Sequence, residues 1–459
     1  MLFGVCINLM YNEHMEEEKR AKLLEKFNNI NVIFAYIVCL MPLFCILFGG
    51  FVNATFNMQL FLFFFAYLVF LVFHLPILVW TKDLKSKIKK MLTFPTIVAL
   101  VLFFWFILTS IMHNEFGHYF WIYMSYIALY ICFRRLDKSH YKKLFYVFVG
   151  TLMLSCVLSL IFPNSHDVPG FYTNARGYSM QFANPNFSSY LIGVVLMGVI
   201  AILSGKTNTF EKVYLTIAYV LFSWWLYANG SFAPIAGVYG MCVILTIVKW
   251  IKEKKCPWKL IAMFVAQIPM ALLIDLCPWW TVHRNTSANF LVECLAVFDN
   301  IFGTDLYNRA TGNPGALPGA DGWDRMDLFR ASFAGIFASA YRCIFGYGSG
   351  HYGSFGPHNQ LVALWVDGGI VYPICLILII GYWFIRYFKT KFDMKYFVYF
   401  AFMITYVFVS YFGSMVYYVF AFIVPIIAVS YTTISHKDEV VDIKAKPVRH
   451  TKSSKSKTK

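Results

Sequence analysis

Apolar runs long enough to cross a membrane recur along almost the whole of this sequence, and no other feature limits its fold so strongly. The hydrocarbon core of a bilayer, about 30 Å thick, takes about 20 apolar residues in a helix. Twelve runs of roughly that length can be read: 30–50, 57–80, 93–112, 117–133, 144–162, 187–204, 213–228, 231–249, 258–278, 361–385, 396–412 and 415–433. Of the 459 residues 59% are hydrophobic and only 14% charged, too few charges to cover a soluble protein of this size. The expected fold class is therefore an all-α polytopic membrane protein with about 12 transmembrane helices. Its expected parts are a cytoplasmic amino-terminal segment (1–29), a membrane domain (30–433) and a disordered basic cytoplasmic tail (434–459).

The basic residues orient this arrangement. With the amino terminus inside and the runs alternating, all but six of the 39 lysines and arginines fall on inner segments. The six are Arg176, Arg284, Arg309, Arg325, Arg330 and Arg342, with no lysine among them. Positive-inside placement at every inner loop predicts that both termini are cytoplasmic. The net charge of +16 is thus read as membrane topology, and no nucleic-acid partner is expected. The 11 cysteines show no zinc spacing, and those within apolar runs read as small hydrophobes.

Two outer loops are long, 162–185 and a far larger one at about 279–360. Long loops on a compact membrane protein are usually functional. Within the larger loop, Met326, Leu328, Phe329, Phe333, Ile336 and Phe337 alternate with Arg and Ser. That pattern predicts an amphipathic helix on the outer membrane surface.

The chemistry-bearing residues gather in and after this loop. Arg325 heads the amphipathic segment, Gly346-Tyr347-Gly348 supplies a turn, and His358-Asn359 open the next apolar run. Leu361, Leu364, Asp367 and Gly369 follow, with Tyr372 a few residues on. In the other loop, Gly177 precedes Asn184-Pro185-Asn186 at the start of a predicted helix.

This pattern resembles the O-antigen ligase and polymerase superfamily of bacterial membrane glycosyltransferases. The matches cover less than a quarter of the chain. Two departures stand out: Tyr372 occupies the place of a second glycine, and Phe232-Ala233-Pro234 follows Ser231 where the family tends to place an arginine. The resemblance implies a GT-C-like membrane fold and glycosyl transfer from polyprenyl diphosphate on the outer face of the cytoplasmic membrane. It implies no cofactor and no metal. The expected partners are polyprenyl-diphosphate-linked oligosaccharides, the lipid bilayer, and flippase and chain-length regulator proteins.

Such a transfer expels a lipid diphosphate, and arginine suits that group because its planar fork matches phosphate oxygens two at a time. Arg325 is the first candidate, with Arg176 and Arg330 as substrate-binding candidates. Arg325 also reads as a surface arginine snorkelling to headgroups. His358 is the candidate base for the attacking hydroxyl, or a group that only orients a phosphate or sugar; as a bland alternative it caps a helix. Asn359 and Asp367 are further substrate-binding candidates, although Asp367 also fits simple pairing between helices. Asn184 and Asn186 are candidates for sugar hydroxyls or for the cap of a helix starting near Phe187, and Asn186 is the better fit to the cap. His113, Glu115 and His118 look like a loose metal cluster short of a ligand and read as solvated turn residues. Polymerisation of repeat units into capsule, exopolysaccharide or O-antigen is the expected function. A ligase moving polysaccharide to another acceptor and a polysaccharide or solute transporter are the rivals.

Overall fold

The computed structural model describes residues 17–48, 68–69, 71, 92–161, 173–174, 177–178, 185–229, 232–276, 325–348, 351 and 359–389. They are mostly helical. The exception is a ladder of two two-residue strands, β1 (Thr173–Asn174) and β2 (Gly177–Tyr178), which pair antiparallel with Thr173 opposite Tyr178. The expected runs 396–412 and 415–433, and the tail, lie outside the described residues, as does nearly all of 57–80.

Several helices match the apolar runs closely. They are α2 (Phe94–His113), α3 (His118–Phe133), α5 (Pro185–Leu203) and α6 (Thr209–Asn229). Pro95 sits in the first turn of α2, where its missing N–H costs nothing. Asn114 ends α2 in the left-handed region at φ 55°, a conformation Asn tolerates. Other helices extend past the apolar runs. The charged stretch before the first run is continuous with it in one 32-residue helix, α1 (Glu17–Phe48). α4 (Lys138–Ile161) and α7 (Phe232–Glu253) reach into the polar connections.

Two runs expected to be single helices are broken. The ninth divides into α8 (Trp258–Val265) and α9 (Gln267–Leu276). Pro269 has no N–H to give the Val265 carbonyl, which weakens the junction. Gln267, fully buried, then takes up side-chain bonds: its Nε2 donates to Ser223 Oγ (2.9 Å) and its Oε1 accepts from Tyr227 OH (2.8 Å). The tenth run divides at Gly369 into α12 (Gln360–Gly368) and α13 (Val371–Lys389). The amphipathic segment is likewise two helices, α10 (Arg325–Ile336) and α11 (Ala340–Phe345), with Ser339 capping the second through the Arg342 N–H.

The main core surrounds α5, whose Ile192, Val195, Leu196, Met197, Val199 and Ile200 are fully buried. α6 and α7 pack on it, and α4 joins α1 to α6. A second cluster joins Phe106 of α2, Phe120 and Met124 of α3 and Tyr372 of α13. A third joins Ile336 of α10 to Val362 and Val366 of α12. Among the described residues, the stretches Phe94–His113 and Ser139–Leu158 are long and apolar enough to cross a membrane. Large apolar side chains also stand exposed, such as Phe104 (64%) and Ile111 (61%) on α2.

Candidate functional site

The end of α12 poses a local problem. The last carbonyls of a helix have no partner within it and must find donors elsewhere. Here the glycine turn after α11 supplies them. Tyr347 N donates to Val366 O (2.7 Å) and Gly348 N to Asp367 O (2.9 Å). Trp105 Nε1 of α2 donates to Gly368 O at 2.8 Å. Going the other way, Ile370 N and Trp365 Nε1 donate to Cys343 O at 3.1 and 2.9 Å.

Backbone meets backbone this closely only where there is no β-carbon. Gly346 has φ 72°, and a Cβ there would fall 2.6 Å from Asp367 O and 2.7 Å from Gly369 N. Gly369 has φ 73° and abuts Ile344. Gly368 lies against the Tyr372 ring, so Tyr372 covers a glycine of the preceding helix end. The Gly-x-Gly turn and the Asp367-Gly368-Gly369 run are thus two halves of one joint.

The surrounding elements fix this joint in place. Phe345 stacks on Trp105 at 5.3 Å and 8°, and its carbonyl lies 3.3 Å from His113 Nε2. Tyr347 OH donates to Gly335 O of α10 at 2.8 Å. The Arg342 guanidinium lies over the Tyr347 ring at 4.2 Å, a cation–π arrangement. On the outward side of α10 and α11, Phe337 is 61% exposed and Tyr341 and Ile344 are also exposed.

The predicted site residues fall as follows. Arg325 is the first residue of α10, the helix that packs on α12. Arg330 lies exposed on the same helix. Asn359 caps α12: its Oδ1 accepts from Leu361 N (3.0 Å) and Val362 N (3.2 Å), and it is 2% exposed. Asp367 is buried in the last turn of α12. His358 immediately precedes the Asn359 cap but lies outside the described residues, as do Arg176 and Asn184. Asn186 is not the cap expected of it. α5 begins one residue earlier, at Pro185, and that puts Asn186 inside the first turn.

The solvated reading of Glu115 also needs correction. Glu115 packs onto Gly348, and its Oε1 lies 3.1 Å from His351 Nδ1. The pairing escaped sequence reasoning because the two residues are far apart in the chain, and His351 was not singled out at all. Among the described residues no three His, Cys, Asp or Glu side chains lie close enough to hold a metal ion.

No protein-family model and no curated protein matches this sequence.

Proposed function

We propose that this chain is a polytopic glycosyltransferase of the cytoplasmic membrane, with about 12 spans and both termini cytoplasmic. It polymerises polyprenyl-diphosphate-linked repeat units into a surface polysaccharide on the outer face. The observation that carries this reading is the joint itself. The Gly-x-Gly turn and the Asp367–Gly369 run are dispersed in sequence but bonded together, at the far end of the helix that Asn359 caps and that His358-Asn359 precede in sequence. The helix headed by Arg325 packs against that same element. The exposed apolar side chains along α2, and those on α6 and α13, suit a lipid surrounding.

In this reading the acceptor hydroxyl of the incoming unit attacks the anomeric carbon of the nascent chain. A new C–O bond forms, the bond to the diphosphate breaks, and its electron pair leaves with the lipid diphosphate. Arg325, Arg176 and Arg330 balance the charge growing on that leaving group. His358 takes the acceptor proton, or hydrogen-bonds the diphosphate. Asn184, Asn359 and Asp367 contribute to sugar binding.

The breaks at Ala266 and Gly369 give the transporter reading some support, because carriers bind solutes at interrupted helices. The carbonyls freed near Gly369, however, already accept bonds from the glycine turn and Trp105, which weakens that support. The test is to give purified protein in lipid a polyprenyl-diphosphate oligosaccharide. Products lengthened by whole repeats support polymerisation. Transfer only to an added second acceptor supports a ligase, and movement of intact solute without new bonds supports a carrier.

A further inference from the structure

Glu115 lies in the short connection between α2 and α3, and His351 just past the glycine turn. The 3.1 Å contact between Oε1 and Nδ1 is at ion-pair distance but is not aligned as a hydrogen bond. Neither His351 Nδ1 nor Glu115 Oε2 has a hydrogen-bond partner among the described residues, and both atoms are shielded from solvent. Yet the His351 side chain is 44% exposed and that of Glu115 25%. The exposed part of the His351 side chain is therefore made of atoms other than Nδ1.

This polarity has a chemical consequence. Facing a carboxylate, Nδ1 is the nitrogen that carries the proton, and the lone pair of a neutral imidazole is left on Nε2. A carboxylate behind the ring also stabilises the imidazolium formed when Nε2 accepts a proton. Catalytic hydrogen bonds are often loose before substrate arrives, so the imperfect alignment is no obstacle. Gly348, at φ 107°, provides the space: a β-carbon there would collide with the Glu115 carboxylate.

We propose that Glu115 and His351 form a carboxylate–imidazole base at the rim of the glycine joint. His351 takes the proton of the attacking sugar hydroxyl as its oxygen bonds to the anomeric carbon, and later releases that proton to water. Glu115 is the positioning residue. The assignment rests on the glycosyl-transfer reading above, and it leaves His358 the second of its two roles, hydrogen bonding to the diphosphate. Among the described residues, the other titratable and charged groups on the elements packed about the turn include His113, Arg330, Tyr341, Arg342, Cys343, Tyr347, Asp367 and Tyr372.

The test measures kcat and KM of the full chain in lipid, on a polyprenyl-diphosphate oligosaccharide, from about pH 5 to 9. His351→Gln lowers kcat about a hundredfold or more, changes KM by less than about threefold, and removes the acidic limb of the rate profile. Glu115→Gln lowers kcat about tenfold and changes KM by less than about threefold, because the ring loses the carboxylate that orients it. Glu115→Gln preserves size and shape, so it carries the test alone if His351→Gln does not fold. An unchanged kcat in the folded variants, or an acidic limb that survives His351→Gln, would overturn the assignment, as would an effect on stability alone. Wild-type protein that fails to lengthen the oligosaccharide defeats the glycosyl-transfer reading and this assignment together. Active wild type with unaffected variants defeats this assignment only.

Discussion

A β-carbon on Gly369 would overlap the backbone carbonyl of Ile344. The end of α12 and the end of α11 therefore meet main chain to main chain at this point.

Gly369→Ala must push these ends apart and hold φ 73° with ψ −174°, a conformation essentially reserved for glycine that costs about 1–3 kcal/mol. With the collision added, we expect a loss of about 2–4 kcal/mol, read as a lowered thermal transition in detergent. Gly381→Ala is the control. It lies within α13 with nothing within 4 Å of its would-be β-carbon, and it should be neutral or gain about 0.5 kcal/mol. Equal transitions for the two variants would mean that the joint is not closely packed.

Asn359→Ala removes the cap of α12 and should cost about 1 kcal/mol. Asn359→Ser and Asn359→Asp preserve a capping oxygen and should hold most of that stability. Measuring glycosyl transfer in the same set separates the two roles. Ser with full stability but lost activity assigns the amide to substrate, whereas Ser with both intact assigns Asn359 to the cap.

Gln267, Ser223 and Tyr227 form a buried polar network where α9 meets α6. Gln267→Leu removes the amide donor to Ser223 Oγ and the acceptor for Tyr227 OH, which keeps its bond to Tyr239 OH, and should cost about 1–3 kcal/mol. Adding Tyr227→Phe should cost less than the sum of the single changes, with a coupling of about 0.5–3 kcal/mol. Strictly additive transitions in a double-mutant cycle would dissolve the network.

Long apolar runs bounded by turn residues were legible. The run 93–112 becomes α2 within a residue at each end, because Pro95 and Asn114 punctuate it. The two broken runs were less so, though the signals were present. Pro269 lies within one, and the Gly368-Gly369 pair within the other. Apolar length alone does not distinguish one helix from two in line. The glycine turn was legible as a motif, but not its function as the partner of α12's last carbonyls, which depends on a long-range contact. Glu115 was misread for the same reason. A carboxylate in a short polar loop looks solvated until the distant segment that covers it is known. His358, Arg176 and Asn184, read from motif alone, fall outside the described residues.

The most direct test compares chain lengthening by wild type, Arg325→Ala and His358→Ala, in lipid, on the same polyprenyl-diphosphate oligosaccharide. The account predicts repeat-unit ladders from wild type and a loss of about a hundredfold or more in rate for each variant, with thermal transitions unchanged. Wild-type ladders persisting in both folded variants would contradict it.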